Sequence, residues 1–568
     1  MPAHDEVTVP PGPGSRPFVM VGKVLPLSGT RRYEQAVAVA GEYIEAVGGR
    51  DVIDAYRQRG APVLDFGERA ILPGFVDPHV HLEEGSLALT QMVDCRVPRC
   101  SSVSDVLEVL SQARAKIAPG EWLVGQANLF WDQKLADRRF PTRAELDRVS
   151  RTNPIVIRAG SHRSVLNSRA FELASPEALD GKEGLTGRAI VETDASGKPT
   201  GVVAEIDRAL PFPEPDHREL RASLRRGIGD LFTRYGVTTV GEISNSRDGL
   251  TAVDEILSGG DPPIRVVIHL WSPGTLSLEE ACHWRAHLSF AAAPDRLRVE
   301  AVKIFVDGGF SACNAATLQR YRGPHAIHPG SRGHLNLRRD QLVRMITATH
   351  EAGLQMAVHA NGERAQIAVC DAAERAAAAL SATPRVRLEH GGNFITRDAT
   401  LEAWEAAGVT AIAQPGFLYN FFGDFLPDYL GSAGTHGRLP LRKLLDRGWH
   451  VAGSSDLHVG GEMGGTNPLF NIWCCIERQS FLGHTVEPGQ AIDIDRALRM
   501  HTIDAAAALG EAGTRGSLQR GKLADVIVLD ADPRQVPASS LPKIKVDHVY
   551  VGGRRVHSRP GAPGPATA

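Results

Sequence analysis

Short apolar runs alternate with amphipathic stretches through the middle of this chain. Helical periodicity marks residues 220–235, 339–351 and 364–380, and the apolar runs between such stretches have the length of buried strands. This alternation is typical of βα units in a parallel sheet. The runs predict eight strands, at residues 75–79, 238–243, 265–270, 302–307, 355–360, 386–390, 410–414 and 450–456.

Eight such strands predict an α/β fold with a (β/α)8 TIM-like barrel. A doubly wound sheet is the main alternative, but it does not account for the polar residues that end almost every run. More than a hundred residues, about 86–215, separate the first predicted strand from the second. They contain strand-like runs of their own, so we expect a folded insertion that serves as a lid or substrate-recognition subdomain.

The two ends of the chain carry short alternating apolar and polar runs separated by turns, which predicts antiparallel β structure. Neither end alone supplies enough strands for a stable layer. We therefore expect residues 16–73 and 504–556 to combine into one small β-sandwich domain. Residues 74–503, including the insertion, would form the barrel between them.

The charge balance narrows the range of partners. The chain has 63 Lys and Arg against 66 Asp and Glu, so its formal charge is −3, and no long block of one sign stands out. This balance argues against nucleic acid or an anionic membrane as a partner, and we expect a small-molecule substrate. A homo-oligomer is compatible with the sequence, which marks no interface.

The chain has the features expected of a soluble cytoplasmic protein. Residues 1–17 are rich in proline and glycine and lack the basic start and apolar stretch of a secretory signal. No segment reaches the roughly 18 apolar residues that a membrane span needs. The seven cysteines are scattered without a Cys-x-x-Cys pair, which predicts reduced, mostly packing residues.

Polar residues with metal-binding chemistry lie in or at the ends of five of the predicted strands. Side chains two residues apart on a strand point to the same face, so His79 and His81 can bind one ion together. A lone His-x-His is more often two solvated histidines in a loop. Strand ends of one barrel converge on one cavity, however, so the joint placement predicts a metal site. The predicted set is His79, His81, Lys303, His359, His390 and Asp456.

Several motifs carry a resemblance to a known family. They are Leu72-Pro-Gly-Phe-Val-Asp-Pro-His-Val-His, Val302-Lys-Ile-Phe-Val-Asp-Gly, His359-Ala-Asn-Gly-Glu-Arg-Ala, Arg387-Leu-Glu-His-Gly, Gly453-Ser-Ser-Asp and Gly516-Ser-Leu-Gln-Arg-Gly-Lys-Leu-Ala-Asp. In these motifs the chain resembles the amidohydrolase superfamily and, within it, the YtcJ-like branch, amidohydrolase family 3. The resemblance runs in family order from about residue 20 to 556 and also implies the barrel and the composite β domain.

Imidazole and carboxylate ligands suit a divalent ion such as Zn²⁺, with Mn²⁺ or Fe²⁺ as other candidates. The resemblance implies one or two ions, and two if Lys303 is carboxylated and bridges them. The ligands would then be His79, His81 and Asp456 for one ion and His359 with His390 for the other. The alternative is an ordinary Lys303 ammonium that orients the substrate or pairs with an acid. The family places at Asp456 the group that moves the proton from water to the leaving nitrogen.

Further residues are weaker candidates for substrate contact. His162 and Arg163 fall in a family-like block on the insertion, which a helix cap with a nearby surface charge explains equally well. Trp131 is a candidate wall for an apolar substrate pocket, although buried aromatics usually belong to a core. The remaining candidates are Glu205, Gln414, His458 and Glu363.

These residues predict a metal-dependent hydrolase acting on a C–N bond other than a peptide bond. Resemblance to relatives such as N-substituted formamide deformylase favours a linear N-acyl or N-formyl amide. The alternative is a deaminase of a heterocycle with one metal ion, in which Glu363 would shuttle the proton. Lys303 argues against that alternative, because mononuclear deaminases do not need a lysine on the fourth strand. A non-catalytic scaffold is a third alternative, and the complete ligand set argues against it.

Overall fold

A computed structural model describes residues 16–567, except for 30–31, 161, 183, 185, 207–208, 260–262, 324 and 462–463. Residues 1–15 lie outside the described residues. They make up most of the N-terminal segment from which we expected no secretory signal. The strands are β1 (Phe18–Val24), β2 (Glu34–Ala40), β3 (Tyr43–Gly48), β4 (Val63–Pro73), β5 (Phe75–Val80), β6 (Val93–Asp94), β7 (Leu123–Ala127), β8 (Ile155–Ala159), β9 (Arg163–Leu166), β10 (Ile190–Thr193), β11 (Pro199–Ala204), β12 (Val237–Ile243), β13 (Arg265–Trp271), β14 (Leu297–Phe305), β15 (Gln355–His359), β16 (Val386–Glu389), β17 (Thr410–Ala413), β18 (Val451–Gly453), β19 (Val526–Leu529), β20 (Val546–Val551), β21 (Arg554–Ser558) and β22 (Ala566–Thr567).

The α-helices of the described residues lie mostly between the strands. They are α1 (Arg50–Gln58), α2 (Leu82–Gln91), α3 (Val103–Arg114), α4 (Trp131–Lys134), α5 (Arg143–Val149), α6 (Ser168–Ala174), α7 (His217–Gly227), α8 (Arg247–Leu257), α9 (Leu278–Cys282), α10 (Arg339–Glu351), α11 (Glu363–Leu380), α12 (Asp398–Ala407), α13 (Pro427–Leu430), α14 (Leu441–Asp446), α15 (Pro468–Glu477), α16 (Ile494–Met500) and α17 (Ile503–Ala508).

The eight predicted strands of the middle section form one parallel sheet in the order β5-β12-β13-β14-β15-β16-β17-β18. The first and last strands meet beyond their ends, where Asp456 N donates a hydrogen bond to His79 O at 3.0 Å. His81 N donates to Leu457 O at 2.7 Å across the same seam. The sheet is therefore a nearly closed barrel, and its seam runs through three of the predicted metal ligands, His79, His81 and Asp456.

The barrel is packed on both of its faces. Outward-facing residues such as Ile268 and Leu270 pack in the main apolar core. Inside, Val76 and Val267 belong to a smaller buried cluster with Leu509, which follows α17. A filled interior leaves the strand ends as the place where a ligand can bind, as is usual for this fold.

Both chain ends contribute to a single eight-stranded sheet, in the order β21-β20-β19-β4-β1-β2-β3 with β22 also paired to β4. The expected pairing of the two ends is present, with β19 antiparallel to β4. The expected second layer of a sandwich is not confirmed, because these strands are hydrogen-bonded in one sheet. Buried Tyr56 of α1 belongs to a small apolar cluster with strand residues of this sheet.

The residues between β5 and β12 form a third sheet, in the order β10-β11-β9-β8-β7-β6. It has a core of its own, which includes Trp131, Leu146 and Ile157. The insertion is thus a folded unit with strands and helices. All seven cysteines, which lie within the described residues, are free thiols. No helix in the described part of the chain combines the length and apolarity that crossing a membrane requires.

A buried ion pair ties the barrel to the sheet of the chain ends. Arg265 of β13 donates to both carboxylate oxygens of Asp525, at 2.9 and 3.1 Å, and both side chains are almost fully buried. Gly552 N donates to the same carboxylate at 2.8 Å. The pair therefore fixes how the two sheets sit against one another.

Asp525→Ala should lower the free energy of unfolding by about 3 kcal/mol, because it leaves the buried Arg265 guanidinium without its bidentate partner. Urea unfolding followed by tryptophan fluorescence measures the shift. The control is Glu255→Ala, which removes an exposed partner of Arg221 and should change the free energy by less than about 1 kcal/mol. Equal shifts for the two variants would show that the buried pair does not hold the sheets together.

Candidate metal centre

His79, near the end of β5, is held in place by a carboxylate behind it. Its Nδ1 donates to Glu389 at the end of β16, and Arg387 of the same strand donates to Glu389 as well. Because an ionised carboxylate only accepts hydrogen bonds, this contact puts the proton on Nδ1 and leaves the Nε2 lone pair for a metal. His79 Nε2 lies 3.3 Å from Asp456 Oδ1 and 3.4 Å from Lys303 Nζ.

His390 and Asp456 follow β16 and β18 in an uncommon backbone conformation. Their φ values are +68° and +50°, in the left-handed region that residues with a Cβ rarely adopt. His390 Nδ1 donates to Gln414 Oε1 at 2.9 Å, which orients the ring. Ligand atoms of His79, His390 and Asp456 all lie within 4.8 Å of one another. These three residues thus form a buried cluster in which one ion can reach all of them.

The other two predicted histidines lie beside this cluster. His81 Nε2 is 3.6 Å from Asp456 Oδ1, as expected for residues that share an ion. The His359 ring, at the end of β15, has its centroid 4.6 Å from that of His390. His359 Nε2 lies 3.1 Å from Asn361 Nδ2, so the loop after β15 holds the ring. All of the predicted strand-end residues therefore converge on one place.

Lys303 points into the barrel from β14 and is fully buried. Its Nζ sits 4.6 Å from the centroid of the Phe305 ring. Burial lowers the pKa of Lys303 to about 8, against the opposing charges of Glu389 and Asp456. The amine is therefore far easier to deprotonate than a surface lysine.

The electrostatics of the site suit a cation. Burial, together with the charge of Lys303, lowers the pKa of His390 to about 3 and that of His79 well below its usual value. Neutral imidazole is the form that binds metals. Burial raises the pKa of Asp456 to about 7, and the charge of Lys303 opposes that rise. Buried neutral imidazoles and a carboxylate that gains from a nearby positive charge fit a divalent ion such as Zn²⁺.

An open pocket lies over the cluster and encloses about 730 Å³, including its mouth. Its polar lining includes His81, His359, His390 and Asp456, and its apolar lining is largely aromatic. The aromatic side chains come from the insertion, from the last residues of β13 and β14, and from loops after the barrel strands: Phe130, Trp271, Phe305, Phe310, Phe417 and Phe421. The Phe417 and Phe421 ring centroids are 4.3 Å apart. The pocket therefore combines a polar floor with an aromatic wall.

His162, Glu205 and His458 lie at this pocket or directly behind it. His162 lines it, and its Nδ1 is 3.0 Å from Glu205 Oε2. Glu205 accepts a hydrogen bond from Thr186 Oγ1 at 2.9 Å, so it orients His162 from behind. His458 lines the pocket and has Nδ1 2.5 Å from the carbonyl oxygen of Asp456. His162 and His458 are thus placed to contact a bound molecule.

Two of the residues predicted to contact substrate, Trp131 and Arg163, do not line this pocket. Trp131 is fully buried in the core of the insertion, where it packs against Phe140, and the neighbouring Phe130 lines the pocket instead. A left-handed turn at Phe130, with φ of +54°, explains why these adjacent rings point apart. Arg163 also faces the insertion, where it pairs with Glu192 at 2.9 Å and stacks on Phe140.

Two more predicted pocket residues have supporting positions. Gln414 accepts a hydrogen bond from His390 and donates one to Ser454 Oγ at 2.8 Å. It therefore orients His390, a predicted metal ligand, but does not line the pocket itself. The Glu363 carboxylate accepts from Thr396 N and Thr400 Oγ1, and it ties α11 to α12. It does not line the pocket, so the residue on which the deaminase alternative depended is engaged elsewhere.

Two buried carboxylates that support the site were not predicted from the sequence. Glu389 holds His79 and sits directly before His390 in the motif Arg387-Leu-Glu-His-Gly. Asp307 accepts from Ala316, Asn361 and Gly362 backbone N–H groups, at 2.8–2.9 Å, and so joins the loops after β14 and β15. A carboxylate at the end of a predicted buried strand is the signal that could have identified both.

Comparisons with known proteins identify the family and the fold of this chain. A family model described as amidohydrolase family matches residues 63–557. The chain is 29% identical over 560 residues to N-substituted formamide deformylase of Arthrobacter pascens, covering 93% of this chain and 96% of that protein. It is 24% identical over 546 residues to putative amidohydrolase YtcJ of Bacillus subtilis, with 92% and 96% covered. An uncharacterized metal-dependent hydrolase from Pyrococcus furiosus has the same fold, with a TM-score of 0.66 at 22% identity over 91% of this chain and 100% of that chain.

Glu389→Gln should weaken Zn²⁺ binding about 10- to 100-fold, because it removes the charge that holds the His79 tautomer. Competition with a chelator of known affinity measures the change. The control is Glu363→Gln, which alters a buried carboxylate that does not line the pocket and should leave zinc affinity unchanged. If the Glu389→Gln variant binds zinc as tightly as the unaltered chain, His79 is not one of the metal ligands.

Proposed function

The chain belongs to the amidohydrolase family, and from that premise we propose that it is a metal-dependent hydrolase of a small N-acyl or N-formyl amide. The observation that carries this proposal is the buried cluster of His79, His390 and Asp456 beneath an aromatic pocket. The reaction breaks the C–N bond of the amide. The hydroxyl of water joins the carbonyl carbon and its proton goes to nitrogen, so a carboxylic acid and an amine leave.

The proposal assigns metal binding to the residues that converge at the strand ends. They are His79, His81, His359, His390 and Asp456, and Lys303 would bridge two ions if it were carboxylated. A divalent ion bound by them supplies Lewis acidity that activates water and polarises a carbonyl group. The lowered pKa of Lys303 supports the bridge, because only a neutral amine can add to carbon dioxide and form the carbamate.

Asp456 is assigned the proton transfer. Its carboxylate lies at the polar floor, among the histidines, and accepts the proton of the attacking water. The same group then delivers that proton to the leaving nitrogen, which cannot depart as an anion. His162, held by Glu205, lines the same pocket and is assigned a contact with the substrate.

The aromatic wall is assigned to the N-substituent of the amide. Phe130, Phe417 and Phe421 offer a large apolar surface, which favours an aromatic or alkyl group over a polar one. The likeness to a protein named N-substituted formamide deformylase supports an amide that carries such a substituent.

Asp456→Asn should lower turnover of N-substituted formamides by about 10²- to 10⁴-fold, because the amide cannot accept a proton. Amine release measured on zinc-loaded protein is the readout, together with zinc content, which the histidines should maintain. Trp131→Phe is the control, since Trp131 lies in the core of the insertion and its change should leave kcat/KM within about two-fold. Near-normal turnover by Asp456→Asn would exclude Asp456 as the base.

Metal analysis should find two ions per chain, and Lys303→Met should reduce the content to one by removing the bridge. The intact mass should also show one carboxyl adduct that Lys303→Met lacks. One ion per unaltered chain, with an unmodified Lys303, would instead favour the deaminase alternative.

A further inference from the structure

A second cavity, which is open to solvent, adjoins the pocket over the metal cluster. The second cavity encloses about 1630 Å³ including its mouth and lies between α2 and the insertion. Glu84, Thr186 and Trp271 line both spaces. The aromatic wall formed by Phe130, Phe417 and Phe421 lines only the first. The reacting centre therefore has room on two sides, an aromatic one and a second one beyond Trp271.

This second space is larger than a formamide needs. A formyl group carries only hydrogen on its carbonyl carbon, so a formamide with its N-substituent at the aromatic wall fills none of the second cavity. Each methylene buried there would strengthen binding about four-fold. Apolar side chains such as Leu87 and Phe212 provide surface for such a chain.

Acidic side chains outnumber basic ones among the described residues that line the second cavity. Among its described lining residues are five carboxylates, at Glu83, Glu84, Glu205, Glu214 and Asp248, and one guanidinium, at Arg158. Glu205 is paired with His162, and Arg158 lies 3.9 Å from Glu84. Glu214 and Asp248 are exposed at the outer part of the cavity. An anionic group entering it would meet like charge, and a cationic group would meet opposite charge.

We propose that the acyl half of the substrate is longer than formyl, extends past Trp271 into the second cavity, and ends in a cationic rather than an anionic group. This inference rests on the proposed amide hydrolysis and names its substrate class. Such a compound is an amide with an apolar N-substituent and an amino-terminated acyl chain. Hydrolysis releases the apolar amine and an amino acid whose amino group lies at the far end.

Three amides with one leaving amine test this inference on zinc-loaded protein. They are N-phenethylformamide, N-phenethyl-4-aminobutanamide and N-phenethylsuccinamate, and phenethylamine release measures all three. The amino compound should exceed the succinamate in kcat/KM by about ten-fold. The double variant Glu214→Gln/Asp248→Asn should reduce that ratio to about three-fold or less, because two rim carboxylates are gone.

A second variant tests the space itself. Leu87→Trp adds bulk on α2 inside the second cavity and should lower kcat/KM for both long amides about ten-fold relative to N-phenethylformamide. Leu173→Trp, at an exposed site on α6, is the matched control and should leave the ratios unchanged. Thermal unfolding verifies that both variants fold.

The inference is overturned if N-phenethylformamide is hydrolysed and neither long amide is, or if Leu87→Trp changes no ratio. It is also overturned if the double variant keeps the full preference of about ten-fold for the amino compound over the succinamate. If no amide is hydrolysed, the proposed function fails, and calorimetric binding of N-phenethyl-4-aminobutanamide decides the inference separately. Weaker binding to Leu87→Trp than to the unaltered chain then supports the second cavity, and equal binding contradicts it.

Discussion

A series of hydrogen bonds between buried charged and polar groups crosses the inside of the barrel, and the rest of the site depends on it. Arg387 donates to Glu389 and also to the carbonyl oxygen of Pro78 at 2.7 Å, and Glu389 accepts from His79. These buried contacts join the sixth barrel strand to the first. A buried carboxylate between a guanidinium and an imidazole is stable only while both partners remain, so the contacts hold His79 in one orientation and one tautomer.

The barrel seam adds a second constraint from the backbone. Asp456 reaches the cluster because the chain turns sharply after β18, with φ of +50°, and its N–H bonds to the carbonyl of His79. His390 turns in the same way after β16. Such conformations are unfavourable for residues with side chains and persist where surrounding contacts enforce them. The ordinary packing of the barrel thus brings buried polar groups together in a place where burial alone would disfavour them.

Much of the fold could be predicted because its signals are local. Each barrel strand is an apolar run, and the residues that end these runs must meet once the sheet closes, so the metal cluster followed from the order of the chain. Glu389 also ends one of these runs, but the sequence does not show that its carboxylate turns toward His79, 310 residues away. The direction of individual side chains could not be predicted from the sequence either. Adjacent Phe130 and Trp131 point apart because of the left-handed turn at Phe130, so Phe130 lines the pocket and Trp131 does not. The sandwich was expected from strand number alone, which does not decide whether strands stack in two layers or pair in one.

The proposed hydrolysis requires that the strand-end residues bind a divalent ion over which the amide reacts. Anomalous scattering at the zinc edge, from crystals of the zinc-loaded protein, tests it most directly. We expect zinc between His79, His390 and Asp456, with ligand distances of about 2.0–2.2 Å. Crystals that show zinc only at surface histidines, with this cluster empty at saturating zinc, would contradict it.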